Sequence, residues 1–164
     1  MKKIIRTGKT WLFSALALRK VGSKKGLVKV NWHSKFTRNT HLGHNCHFNG
    51  MHIKGGGKVT IGDNFHSGQG CLFLTDTHNY AGESIPYDHT IIRKSIVIED
   101  NVWLGDRVIV LGGVTIHEGA IVQAGSVVVR DVEKGAIVGG HPAQVFKYRD
   151  MAHYEEKKAK GLFF

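Results

Sequence analysis

The chain has 164 residues, enough for one domain with a sizeable core, and 21 glycines against 2 prolines suit many tight turns between short strands. No apolar run approaches the roughly 20 residues that a membrane span needs. Two cysteines, Cys46 and Cys71, make no disulfide framework and read as reduced thiols of a cytoplasmic protein. Net charge is +10 but is concentrated at one end: residues 1–62 hold 13 Lys and Arg with no acid, whereas 63–164 hold 10 basic and 13 acidic residues. The basic end suits an anionic partner such as a membrane surface, a charged glycan or a phosphorylated cofactor. Charge without a recognised motif gives no ground for nucleic-acid binding.

Residues 1–29 form a basic N-terminal segment. Lys2, Lys3, Arg6 and Lys9 precede an apolar stretch from Trp11 to Leu18, and Arg19 and Lys20 follow at once. The stretch is short for a signal peptide and reads as an amphipathic helix. Such a helix either covers one end of the fold or lies on an anionic membrane face, which would make a cytoplasmic protein peripheral at the inner membrane.

From residue 30 to 146 a six-residue period governs the chain. Ile92, Ile98, Leu104, Val110, Ile116, Val122 and Val128 are spaced by six. Four residues after each comes another small or apolar residue: Ile96, Val102, Val108, Val114, Ala120, Ser126 and Val132. The same period runs earlier through Val30, Phe36, Leu42 and Phe48, with Ser34, Thr40, Cys46 and His52 in the second position. A seven-residue segment, Lys54 to Thr60, shifts the phase before Ile61/Phe65, Ser67/Cys71 and Phe73/Thr77. A helix repeats near 3.6 and a plain strand near 2, so strict sixes fit neither. Each hexad is a short strand plus a turn, and three make one triangular coil. The expected fold is all-β, a parallel β-helix of about five triangular coils whose stacking forms the core. A loop, residues 79–91, interrupts the period. Residues 147–164 are charged and helix-prone and leave the prism as a C-terminal helix or tail.

Four blocks carry a resemblance: Asn101-Val102-Trp103-Leu104-Gly105, Gly113-Val114-Thr115-Ile116, Gln123-Ala124-Gly125-Ser126, and Gly139-Gly140-His141-Pro142-Ala143. Over roughly residues 61–147 the chain resembles the hexapeptide-repeat acyltransferases, in particular the galactoside and maltose O-acetyltransferases and polysaccharide O-acetyltransferases. The resemblance implies a left-handed β-helix, a homotrimer with active sites at subunit interfaces, and acetyl-CoA as cosubstrate. It also implies that His78, which ends the hexad before the loop, is the general base. An alcohol is a weak nucleophile at neutral pH, and imidazole is well matched to taking its proton during attack. The resemblance further implies a donor groove at Trp103, Gly105, Ala124, Val129, Arg130, Gln144 and Lys147. Asp106 and Gln144 depart from the family by removing favourable charge for the coenzyme phosphates.

For the acceptor, Tyr80 and Glu83 in the loop offer ring stacking and hydrogen bonds to a sugar, and Asp76 either binds sugar or orients His78. The expected acceptor is a sugar hydroxyl in a cell-surface polysaccharide or lipopolysaccharide precursor, and no metal is expected. One rival is a zinc enzyme like the gamma-class carbonic anhydrases, suggested by His41, His44, His47 and His52 with Cys46, although the expected pair of histidines before Gly-Cys is missing. The other is a non-enzymatic β-helix that binds glycolipid or protein through its basic end.

Overall fold

The alternation of apolar and polar residues within each hexad is realised as a three-sided stack of short strands. The structure, a computed structural model, describes residues 2–164, with side chains from Gly8 onward. Helix α1 (Lys2–Leu18) leads into the first coil, formed by β1 (Ser23–Lys24), β2 (Val28–Trp32) and a bridge at Lys35. The second coil comprises β3 (Thr40–Leu42), β4 (Cys46–Asn49) and β5 (His52–Lys54), and the third β6 (Val59–Ile61), β7 (His66–Gln69) and β8 (Leu72–Leu74). The chain then leaves the prism as β9 (Asp76–His78) and β10 (Ile91–Arg93), which pair antiparallel. It re-enters as β11 (Ile96–Ile98), β12 (Trp103–Leu104) and β13 (Ile109–Leu111), followed by β14 (Thr115–Ile116), β15 (Ile121–Val122) and β16 (Val127–Val128). A bridge at Val132 and strand β17 (Ala136–Gly140) open a further, partial coil. Strand β18 (Ala143–Tyr148) turns back antiparallel on β17, and helix α2 (Met151–Ala159) follows.

Every pairing between coils is parallel and in rotation. The first face stacks β1, β3, β6, β11 and β14; the second stacks β2, β4, β7, β12, β15 and β17; the third stacks β5, β8, β13 and β16. The prism therefore begins within residues 1–29, and strand structure continues past 146 to Tyr148.

Both hexad positions point inward. Ile98, Leu104, Val110, Ile116 and Val122 are buried, and so are Ile96, Val102, Val108, Val114, Ala120 and Ser126. Each fully buried Ile, Leu or Phe contributes about 1.5–3 kcal/mol of transfer free energy, so the stack is its own core. Cys46 and Cys71 belong to this interior, and burial pushes both thiols up to about 11. Two phase details differ from the sequence reading. On the third side of the second coil the inward residues are Met51 and Ile53, so His52 points outward, because Gly50, at φ +90°, turns the chain one residue early. Thr75 rather than Thr77 closes the third coil, because the chain is already leaving the prism, and Ile92 in β10 is only half-buried.

The corners are held by side chains that bridge coils. Asn45, Asn64 and Asn101 adopt left-handed backbone at φ 54°, 54° and 60°. The Asn45 amide donates to Asn64 Oδ1 at 3.0 Å, and the Asn64 amide donates to Asn101 Oδ1 at 2.9 Å. Asn tolerates this conformation better than other residues with a Cβ, and the amide ladder rewards it there. Asp63, Asp100 and Asp106 accept backbone N–H groups from the coil beneath, from His44, Asp63 and Gln69 respectively. Asp106 thus has a structural role the sequence reading did not give it.

Helix α1 packs on β2 through Phe13, Ala17 and Leu18, and Ser14 Oγ accepts the Val30 N–H at 2.9 Å. Its other side leaves Trp11, Leu12 and Leu16 exposed. Helix α2 lies along the second face. The Asn101 amide donates to Tyr154 Oη at 2.8 Å, and Tyr154 in turn donates to Glu118 at 2.8 Å. Burial alone would raise the Glu118 carboxyl, but hydrogen bonds from Lys158 and Tyr154 bring it below its usual value.

Candidate active site

His78 is carried by an antiparallel arm, not by a plain loop. The arm is clamped at its base, where Asp76 and Arg93 lie opposite each other in register. The Arg93 guanidinium donates Nε to Asp76 Oδ1 at 3.1 Å and Nη2 to Oδ2 at 3.1 Å. Asp76 also accepts the Gly56 N–H at 2.9 Å and the Thr75 hydroxyl at 3.2 Å. The Arg93 hydrogen bond holds the Asp76 carboxyl below its usual range. These bonds tie the arm to two coils of the prism, and among the described residues none runs from Asp76 to His78.

Beyond the clamp, local polar contacts order the tip. Asn79 Oδ1 accepts the Ala81 N–H at 3.1 Å, and its amide donates to Thr90 Oγ1 at 3.0 Å. Asp88 accepts N–H groups from Glu83 and Thr90. This folds Tyr87 back onto His78: the two rings stack at 3.9 Å between centroids and 14° between planes. The ring face of His78 is thereby fixed, while its residue stays exposed and neither ring nitrogen has a hydrogen-bond partner among the described residues. A ring held by its face with its nitrogens free can accept a proton from an incoming hydroxyl. Tyr80 stands 82% exposed on the same arm, and Glu83 is exposed beside it. Tyr87 and Arg93, which position the base candidate, were not singled out from sequence; the antiparallel register that brings them in is invisible to a hexad count.

The donor candidates fall on other parts of the prism. Trp103 points outward from β12 on the second face, between His66 of β7 and Ile121 of β15. Gly105 lies at the next corner, where a Cβ would come within 2.5 Å of the Ala124 backbone nitrogen, so its smallness serves coil stacking. Ala124 is exposed at the same corner one coil on, beside Gly125, around which there is open space. Val129 and Arg130 are exposed just past β16, and Gln144 and Lys147 are exposed on β18.

Trp103 and Lys147 share a cleft of about 620 Å³ between the second face and the C-terminal arm, together with His66, Ile121, Tyr148 and Phe163. Within one chain His78 does not line this cleft that Trp103 and Lys147 share. His47 packs on His66 with centroids 4.3 Å apart, and burial, with the charges of His66 and Lys29, lowers its imidazole from 6.5 to about 4.

The other histidines of the N-terminal half are dispersed. His41 bonds Ser23 Oγ on the first face, His44 takes the Leu27 N–H, and His52 pairs with His33 on the third face. The Cys46 thiol donates to the Gly62 carbonyl at 3.2 Å inside the prism.

Comparison with known proteins bears on this arrangement. A family model described as bacterial transferase hexapeptide (six repeats) matches residues 95–130. An acetyl coenzyme A complex of a hexapeptide-repeat acetyltransferase from Vibrio cholerae O1 biovar eltor is 32% identical, with a TM-score of 0.68, and the match covers 82% of this chain and 74% of that one. The chain belongs to the hexapeptide-repeat acyltransferase family. Its prism is accordingly the left-handed parallel β-helix of that family. A relative from Staphylococcus aureus (strain Mu50 / ATCC 700699), described as a putative acetyltransferase, is 37% identical over 121 residues. That match covers 73% of this chain but only 57% of the relative's length. A maltose O-acetyltransferase from Clostridium difficile 630 shares the fold at a TM-score of 0.71 and 24% identity, over 89% of this chain and 85% of that one. No helix among the described residues of this hexapeptide-repeat protein is long and apolar enough to cross a membrane.

Proposed function

We propose that the chain transfers acetyl from acetyl-CoA to a sugar hydroxyl, with His78 as general base, in a homotrimer whose neighbouring subunits complete each site. The observation that carries this reading is the His78 ring, braced by Tyr87 on a clamped arm with both nitrogens open. That His78 does not line the cleft shared by Trp103 and Lys147 in one chain supports a site assembled between protomers.

The chemistry follows from the groups. The acceptor oxygen attacks the thioester carbonyl carbon while an imidazole nitrogen takes its proton. The tetrahedral centre collapses, the C–S bond breaks, and the thiolate leaves and takes up that proton as coenzyme A thiol. Trp103, Gly105, Ala124, Val129, Arg130, Gln144 and Lys147 would line the donor groove, with Arg130 and Lys147 answering phosphate charge. Tyr80 and Glu83 would meet the acceptor; Asp76, engaged by Arg93, would act on it through the arm's geometry.

The acceptor is a hydroxyl in a cell-surface polysaccharide or lipopolysaccharide precursor. A site at the inner membrane face is supported by exposed Trp11, Leu12 and Leu16 on α1, flanked by Lys9, Arg19 and Lys20. Apolar side chains ringed by cations are the composition of a helix that rests on anionic lipid.

The decisive experiment is His78→Ala with labelled acetyl-CoA and envelope glycans. Because the side chain is exposed, the variant should fold and assemble normally while turnover drops by about 10²–10⁴. Undiminished turnover removes His78 as the base.

A further inference from the structure

A second cleft of about 530 Å³ opens at the edge between the second and third faces, toward the N-terminal end. Its walls come from several coils: Trp32 at the end of β2 and His33 just after it, His52 and Lys54 on β5, Gln69 at the end of β7, and Arg107 in the turn between β12 and β13. The His33 and His52 rings meet edge to face at 5.6 Å.

The electrostatics of this recess are one-sided. Lys35 stands on the strand position paired with His52, adding a further cation. The side chains of Arg107, Lys54 and Lys35 make no ion pair or hydrogen bond among the described residues. No carboxylate lines the recess; the nearest acid in sequence, Asp106, already accepts the Gln69 N–H at 2.6 Å. Burial, then the charges of His33, Lys35 and Lys54, hold the His52 imidazole below its usual value. Arg107 also occupies left-handed backbone at φ 57° without the amide ladder that supports Asn45, Asn64 and Asn101. Clustered cations not paired with a carboxylate attract an anion from solution, and a concave wall strengthens the attraction.

We propose that this recess binds a phosphate-type anion carried by a small organic ligand, with Arg107 and Lys54 pairing with the anion and Trp32 flanking the ligand's body. The assignment stands independently of acetyl transfer. Two sources share the chemistry: a glycosyl phosphate of the acceptor class, or the phosphates of coenzyme A.

The test titrates the full chain with glucose 1-phosphate, glucose and coenzyme A by calorimetry, and repeats the series with Arg107→Asn and Lys54→Gln. Asn keeps the left-handed turn, and unchanged thermal melting verifies folding. Glucose 1-phosphate should bind at least about tenfold tighter than glucose, weaken about tenfold in each variant, and weaken with added salt. If instead coenzyme A loses about tenfold in both variants and displaces glucose 1-phosphate, the anion is the coenzyme's. Equal affinity for glucose and its phosphate, together with unchanged coenzyme A affinity in both variants, overturns the site.

Discussion

The asparagine ladder at the prism corner gives a prediction whose size can be worked out. Asn64 accepts from Asn45 at 3.0 Å and donates to Asn101 at 2.9 Å, and its backbone is left-handed at φ 54°. Asn64→Ala removes two bonds between coils, each worth about 1 kcal/mol net, and places a Cβ without a compensating amide in a conformation costing about 1–2 kcal/mol. The loss should be about 3 kcal/mol. Asn64→Gly removes the same bonds but not with the same backbone penalty, so it should lose about 2 kcal/mol. Urea denaturation at fixed protein concentration measures both, since assembly would otherwise shift the midpoint. If glycine proves as damaging as alanine, or alanine costs less than about 0.5 kcal/mol, the ladder is not what holds this corner.

Three further outcomes follow from the same structure. His47 is lowered from 6.5 to about 4, so the unfolded chain binds the extra proton first. The stability this imidazole allows is full above its unfolded value and falls as pH drops from 6.5 toward 4. Denaturation midpoints across that window should decline less steeply in His47→Leu than in the parent, with His52 and His66, also held low by burial, keeping part of the slope; parallel declines would assign the acid sensitivity elsewhere. Trp103→Ala, at an exposed site, should weaken acetyl-CoA binding in a calorimetric titration more than it lowers the melting temperature, and unchanged affinity would take Trp103 out of the donor groove. Vesicles containing anionic lipid should carry the protein upward in a flotation gradient at low salt, with Trp11→Ala and Leu16→Ala reducing the bound fraction; no flotation removes the membrane placement.

What the sequence revealed and what it hid divide along physical lines. The hexad positions from Ile96 to Val132 were legible because one-sided burial forces the same period on every coil. His52 and Thr77 were misplaced because turns at Gly50 and Thr75 break phase without changing composition. His78 was nominated through family blocks, but its bracing was hidden, since the Tyr87 stack and the Arg93 clamp depend on an antiparallel register outside the repeat. Strand β18 and the cleft beneath the C-terminal arm were also missed. The spacing of His47 and His66, one coil apart, was the available signal for an outward column on that face. Arg107 offered a weaker one, a cation in a turn whose equivalents in the neighbouring coils are Gly70 and Gly125.

The two ends of the stack have a consequence for solubility. A parallel β-helix cut off cleanly would present open backbone donors and acceptors on which another molecule could dock and continue the winding. Here the Ser14 hydroxyl occupies the Val30 amide at one extremity, and β18 runs against the grain of β17 at the other. On this face, then, the parallel register that end-on growth would need is interrupted at both extremities, by the α1 hydroxyl at one and by a strand of opposite direction at the other.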